Sequence, residues 1–120
     1  MSKHLLLVLA NAAEGRDDEF NAWYTDQHLA DVLKVPGITS AQRFAYAAPA
    51  NATIEGPHPD PVHRYIAIYE VESDDPQAVH AEMISRIGTD QMILSDAMDF
   101  EKSSGAYYAP ISDKRLAAKP

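Results

Sequence analysis

Near its amino end the chain carries an uninterrupted apolar run at residues 4–10, His-Leu-Leu-Leu-Val-Leu-Ala. Successive side chains of a β-strand point to opposite faces, so a run without polar alternation predicts a central strand covered on both sides. The run is too short for the core of a signal peptide or for a membrane span. We therefore predict a cytoplasmic protein with no membrane-spanning segment, built around this strand.

The composition excludes several classes of function. The chain has 120 residues, with 18 acidic against 10 basic side chains, a formal net charge of −8 and no cysteine. Nucleic-acid binders and anionic-membrane binders need concentrated Lys and Arg, so neither kind of partner is expected. Disulfides, thiolate metal sites and a cysteine nucleophile are excluded outright. The length predicts a single domain over residues 1–120.

Hydrophobic spacing predicts two helices. Apolar side chains recur at helical intervals over residues 18–34 and stop at Pro36-Gly37. The second helix is predicted to begin with Asp74 or Asp75 as its cap and Pro76 in its first turn, because proline is favoured there. These helices supply two of the six predicted elements.

Alternating apolar residues predict three further strands, over residues 38–47, 63–72 and 104–111. In the first of these, Ile38, Ser40, Phe44 and Tyr46 are predicted to share one face. Between the first two, residues 48–62 hold four of the eight prolines and predict an irregular loop.

Two other segments are less regular. Residues 89–100 have no decisive period and fit either a short extra turn or a helix. Residues 113–120 carry three basic side chains and predict a mobile end or a strap onto a partner.

The resulting order, βαββαβ, predicts an α+β ferredoxin-like fold with an antiparallel four-stranded sheet. Both helices of that fold lie on one face of the sheet. Because the first strand is apolar on both faces, the other face would expose a large apolar patch. A homodimer in which two sheets pack face to face is the simplest remedy.

The first predicted helix also carries a family resemblance. The block Asp18-Glu19-Phe20-Asn21-Ala22-Trp23-Tyr24, continuing to His28, Val32 and Pro36-Gly37-Ile38, resembles the first helix of EthD-like proteins in the dimeric α/β-barrel superfamily. The resemblance implies a ferredoxin-like protomer, a face-to-face dimer and a small-molecule pocket between the helices and the sheet. The superfamily includes polyketide cyclases, lactone isomerases, cofactor-free quinone-forming monooxygenases and haem-degrading enzymes, so the fold alone selects no reaction.

His28 is the first candidate catalytic residue. At roughly 100° per residue it falls beside Phe20, Tyr24 and Val32, near the wall that faces the sheet. A neutral imidazole there can take a proton from a phenol or from a carbon next to a carbonyl. The alternatives are a core histidine bonded to a backbone carbonyl, or a dimer contact.

Tyr24, Tyr65 and Tyr69 form the second catalytic group. Phenols in an apolar pocket can donate hydrogen bonds to an oxygen on which negative charge develops. The alternative is that they are ordinary packing residues with solvated tips.

The remaining candidates are predicted to bind the substrate. Phe20 and Trp23 would form apolar walls, Arg43 would receive a carboxylate or else form a structural ion pair, and His80 is a reserve acid–base group. The full substrate-binding set is His4, Phe20, Trp23, Arg43, His80 and Tyr107.

No metal site is expected. His58, Asp60 and His63 lie close together in sequence, but the prolines between them oppose regular ligand geometry. Haem would need an axial ligand in an apolar pocket, which His28 or His80 would provide, so haem remains an alternative cofactor to none.

These residues predict a cofactor-independent acid–base enzyme acting on a small hydrophobic aromatic, lactone or polyketide-like carbonyl compound. Cyclisation, isomerisation, dehydration and decarboxylation are compatible reactions. One alternative is a non-catalytic small-molecule binding or stress-associated protein. Another is a haem-binding or haem-degrading protein, or a cofactor-free monooxygenase.

Overall fold

The computed structural model describes residues 3–47 and 61–118, so most of the predicted loop at 48–62 and the last two residues lie outside the described residues. The elements follow the predicted βαββαβ order, with the first helix in three consecutive parts. They are β1 (Lys3–Ala10), α1 (Asp17–Trp23), a π-helical turn (Tyr24–His28), α2 (Leu29–Leu33), β2 (Ile38–Ala45), β3 (Tyr65–Glu72), α3 (Pro76–Arg86), a 3-10 turn (Phe100–Lys102) and β4 (Ser104–Tyr108).

The four strands form one antiparallel sheet in the order β2-β3-β1-β4. This confirms the predicted α+β ferredoxin-like fold, with β1 between β3 and β4. Directly opposite residues of antiparallel strands share a face. Leu6 therefore shares the inner face with Tyr69, while Leu7 shares the outer face with Ile68.

The helices cover the inner face only. Side chains from β1 and β3 pack there against the first helix and α3 in one buried core. Phe20, Tyr24, Val32, Val35, Tyr69, Val71 and Met92 are the largest fully buried side chains. Among residues 3–47 and 61–118, no helix covers the apolar outer face of β1.

The predicted alternation of β2 is wrong at its start. The register with β3 shifts between Ile38 and Ser40, so Ile38 lies opposite Val71 and Ser40 lies opposite Glu70. Ile38 is buried on the inner face, whereas Ser40 and Phe44 share the outer face. The extra residue, Thr39, is a bulge that alternation cannot reveal.

Helix α3 begins as predicted. The Asp75 carboxylate accepts a hydrogen bond from the Ala78 N–H at 3.2 Å, and Pro76 follows in the first turn. Val79 and Met83 are buried, while Ile84 is half exposed.

The ambiguous segment after α3 is an ordered wall rather than a helix. Met92 and Ala97 are fully buried, and the Ala97 carbonyl accepts from the Ala13 N–H at 2.6 Å. The Asp99 N–H donates to the Asn11 carbonyl at 2.9 Å. These bonds hold the segment across the end of β1. Residues 113–118 of the predicted strap are exposed and belong to no helix or strand.

Gly37 fixes the approach of α3 to the turn before β2. Its φ is +100°, a conformation that side chains rarely adopt, and an added Cβ would lie 2.7 Å from Val79 Cγ2. Gly15 has a similar φ of +77°, but a Cβ added there would meet no other described residue within 4 Å, apart from its two chain neighbours.

We predict that Gly37→Ala lowers the free energy of unfolding by about 2–4 kcal/mol, because backbone strain adds to overpacking against Val79. Gly15→Ala is the matched control and should cost about 1–2 kcal/mol from backbone strain alone. Urea unfolding followed by circular dichroism measures both. Equal losses in the two variants would contradict the close packing of α3 on this turn.

Candidate active site

A cavity of about 330 Å³ lies between the inner face of the sheet and the covering segments. This volume is in the range of small-molecule sites. Its lining is mainly apolar and consists of Leu6, Val8, Trp23, Tyr24, His28, Val32, Tyr69, Met83, Ile87, Leu94, Met98, Phe100, Ser103, Ser104 and Gly105. Four predicted site residues are therefore brought together: His28, Tyr24, Tyr69 and Trp23.

The imidazole of His28 stacks on Trp23 because the first helix contains one π-helical turn. The Leu29 N–H donates to the carbonyl of Tyr24, five residues earlier. In a regular α-helix, residues five apart lie about 140° apart around the axis. Here Trp23 and His28 are instead stacked, with ring centroids 4.7 Å apart and planes 26° apart. Tyr24 meets the same imidazole edge-on, also at 4.7 Å.

Burial keeps the His28 imidazole neutral. Desolvation lowers its pKa to about 4, the Asp31 carboxylate opposes this shift, and the Arg43 guanidinium adds to it. Nδ1 of His28 is buried and has no hydrogen-bond partner among the described residues. A neutral ring with an unsatisfied nitrogen costs stability and is a common feature of functional sites.

A buried carboxylate holds the wall beside His28. Asp31 is only 4% exposed, and its Oδ2 accepts from Gln27 Nε2 at 2.9 Å and from the Ile93 N–H at 3.4 Å. Trp23 Nε1 donates to the Ile93 carbonyl at 3.0 Å. The first helix thus binds both the N–H and the carbonyl of Ile93. Leu94 and Met98 of the same segment line the cavity.

Tyr24 and Tyr69 form a buried hydroxyl pair on the cavity wall. Their oxygens are 2.9 Å apart, and either hydroxyl can be the donor. Burial raises the pKa of both phenols, so both remain protonated at neutral pH. One hydrogen is used between them, which leaves the other for a ligand oxygen.

Three predicted site residues lie behind Tyr24 rather than around the cavity. The Arg43 guanidinium lies 4.6 Å from the centre of the Tyr24 ring and also faces Phe20 and Tyr65. It donates to Asn21 Oδ1 at 2.9 Å and does not line the cavity of about 330 Å³. These side chains support the tyrosine from behind.

Tyr65 is held by the first helix. Its hydroxyl donates to Asp17 Oδ2 at 2.5 Å, and this bond raises the pKa of the Tyr65 phenol. Phe20 is fully buried.

The other predicted residues lie at separate places. His80 Nδ1 and the Tyr107 hydroxyl are 2.9 Å apart in a groove beside the cavity. His4 lines a different depression with Lys3 and Tyr108, and its buried Nδ1 has no partner among the described residues.

Sequence reasoning missed the cavity wall formed after α3. Leu94, Met98 and Phe100 come from the segment without a period, and Ser103 to Gly105 come from the start of β4. The apolar residues of this segment indicate burial, although no local sequence pattern indicates which part of the fold they cover.

Within residues 3–47 and 61–118, no three His, Asp or Glu side chains are grouped as metal ligands. His58 and Asp60 lie outside the described residues. In the same part of the chain, no helix has the length and apolar character needed to cross a bilayer.

Comparison with solved structures finds similar chains. A chain named "putative monooxygenase" from Shewanella loihica PV-4 is 16% identical, with a TM-score of 0.58, 94% of this chain and 99% of that chain being covered. An EthD family protein from Bacillus halodurans C-125 is 11% identical, with a TM-score of 0.49 and coverages of 92% and 100%. A dimeric ferredoxin-like protein from Thermobifida fusca YX is 7% identical, with a TM-score of 0.49 and coverages of 91% and 92%.

At these identities the likeness concerns the fold. No protein-family profile and no curated protein sequence matches the chain.

The lowered pKa of His28 predicts a pH-dependent stability. Between its ordinary value of 6.5 and about 4, the unfolded chain binds more protons at this residue than the folded chain does. The free energy of unfolding should therefore fall as pH falls through this window, by up to about 3 kcal/mol from His28. In His28→Phe the decrease should be smaller by that amount, as measured by urea unfolding at several pH values. Parallel curves for the two proteins would refute burial of a neutral imidazole.

Proposed function

We propose that the chain is an enzyme that moves a proton to or from a small hydrophobic carbonyl compound bound in the cavity. The observation that carries this proposal is the placement of a neutral histidine and a protonated hydroxyl pair on one apolar wall. The histidine is a proton acceptor, and the hydroxyl pair is a hydrogen-bond donor. Enolisation of a carbonyl compound requires both.

His28 acts as the general base. At neutral pH its imidazole is uncharged, so it needs no prior deprotonation. Taking a proton from a carbon next to a carbonyl creates an imidazolium beside an enolate, and the two charges stabilise each other in the apolar cavity. The buried Asp31 carboxylate favours the same imidazolium. The proton then returns to a different atom, which isomerises the compound.

The tyrosine pair holds the oxygen on which charge develops. One of the two hydroxyls donates its hydrogen to the other. The hydroxyl that accepts this bond donates its own hydrogen to the substrate oxygen. A donor that is fixed before the reaction stabilises the enolate without reorganisation. Arg43 behind the Tyr24 ring adds positive potential on this side. Proton transfer of this kind needs no cofactor.

The test is proton exchange between solvent and a panel of 2-tetralone, 1-indanone and a six-membered lactone, followed by NMR in D₂O. We expect catalysed exchange of the protons next to the carbonyl in at least one compound, and a loss of about 10²–10⁴-fold in His28→Phe. His63→Phe is the control, since His63 lines neither the cavity nor the groove. If no compound exchanges in a His28-dependent way, proton transfer is wrong. Binding without exchange would identify a binding protein, and a Soret band after addition of haem would identify a haem protein.

Monooxygenase chemistry is the second candidate, because the Shewanella loihica chain with this fold is named for that activity. The same base would generate an anthrone enolate that reacts directly with O₂, giving anthraquinone and water. An oxygen electrode with anthrone as the substrate distinguishes this reaction from simple proton exchange.

We also propose that the outer sheet face packs against a second copy of the chain. Leu7 and Ile68 lie at its centre, and Leu5, Phe44 and Tyr108 on the same face are 42–53% exposed. A contiguous apolar surface of this kind is unusual on a monomer.

Sedimentation should give twice the chain mass of 13.2 kDa. Leu7→Glu should shift the protein towards the monomer, because the added carboxylate would be desolvated at the interface. Ile84→Glu, on the exposed side of α3, should leave the dimer intact. A wild-type monomer at micromolar concentration would exclude the dimer.

A further inference from the structure

A second groove of about 540 Å³ adjoins the cavity. It lies between the first half of α3 and the end of β4, where Pro76, His80 and Tyr107 line it. Gly105 lines both the groove and the cavity, so the two spaces meet at this residue.

One face of α3 runs along both spaces. His80 lines the groove, while Met83 on the same helix and Ile87 directly after the helix, three and seven residues later, line the cavity. Residues at these intervals share a helix face, and seven residues span about 10 Å along the axis. On β4, Tyr107 and Gly105 share the inner face opposite Leu6 and Val8. The groove and the cavity therefore lie end to end along one face of α3, and together they are called the trench.

Gly105 places no side chain at the passage, which is the junction between the groove and the cavity. Its φ is not positive, so the backbone conformation does not require glycine. An added Cβ would meet Val8 Cγ2 at 3.8 Å and Leu6 Cδ1 at 4.0 Å, which are ordinary contacts. Neither strain nor packing explains a glycine in this strand, where it lowers stability. The absence of a side chain leaves space on the inner face, where the groove and the cavity adjoin.

The far end of the trench carries its own polar pair. His80 Nδ1 and the Tyr107 hydroxyl share a hydrogen bond of 2.9 Å, and their rings meet edge-on at 5.3 Å. Whichever atom donates, the hydroxyl keeps capacity for one further partner. Burial raises the pKa of Tyr107, so the phenol stays protonated.

We propose that the substrate is an elongated aromatic compound of two ring units, with its carbonyl at Tyr24 and Tyr69 and a distal hydroxyl bound by His80 and Tyr107. The inference rests on the proposed function, because that function places the carbonyl. It adds the length of the substrate and a second polar group.

The test uses 4-hydroxychalcone, which has two rings joined by an enone and a distal phenol, and unsubstituted chalcone, which lacks that phenol. Trp23 is the only tryptophan and lines the cavity, so quenching of its fluorescence reports binding. We expect the wild-type chain to bind 4-hydroxychalcone about tenfold more tightly than chalcone. Tyr107→Phe should remove that difference and leave chalcone binding unchanged, because only the hydroxyl contact is lost. Tyr108→Phe, on the outer face, is the matched control and should keep the tenfold difference.

A second variant tests the passage. Gly105→Val should weaken both chalcones at least tenfold, because its methyl groups would occupy the junction, and thermal denaturation checks that the variant folds. Equal affinity of the wild-type chain for the two chalcones, or an unchanged preference in Tyr107→Phe, would overturn the second subsite. If 2-tetralone still exchanges protons in a His28-dependent way, that failure leaves the proposed function standing. If the wild-type chain shows neither the preference for 4-hydroxychalcone nor His28-dependent exchange of 2-tetralone, both the second subsite and the proposed function are wrong.

Discussion

One additional residue in a single helical turn stacks the proposed base on the tryptophan of the cavity wall. The bond from the Leu29 N–H to the Tyr24 carbonyl widens the turn, so that His28 lies over Trp23 instead of away from it. The same turn keeps Tyr24 against Tyr69 on the sheet. A regular helix would keep its apolar stripe but would turn the imidazole away from the indole. The stacking of the proposed base on Trp23 therefore depends on this local departure from α-helical geometry.

Burial of the groups on this wall favours the proposed chemistry but also costs stability. It favours the neutral form of the histidine and of the two phenols, which are the forms that the proposed chemistry needs. It also leaves a nitrogen of His28 without a partner among the described residues, at a cost in stability. Ion pairing with a bound enolate would offset part of that cost. Asp31 has two roles, since it holds the wall at Ile93 and favours the imidazolium through space.

The sequence predicts what is encoded locally. The apolar run of β1 and the cap of α3 at Asp75-Pro76 depend on neighbouring residues only, and the structure has both. His28, Tyr24 and Tyr69 also converge as predicted, because helix and strand periods suffice to choose their faces. The bulge at Thr39 and the π-helical turn change the register by one residue, and no periodic pattern reveals such a change.

Long-range packing accounts for the remaining differences. Phe20, Arg43 and Tyr65 lie on the predicted face but stack behind Tyr24, so they support the site without lining the cavity. The wall after α3 is fixed by contacts with β1 and the first helix, far away in sequence. Its residues therefore show no secondary-structure period.

The protonation state of His28 tests the central claim most directly. NMR titration of the ¹⁵N-labelled imidazole in the folded wild-type chain follows this one ring through its nitrogen shifts. We predict a neutral ring from pH 7 down to the region of pH 4, where its pKa lies. A midpoint near 6.5, the ordinary value for a solvated histidine, would contradict the buried, neutral base on which the proposed chemistry rests.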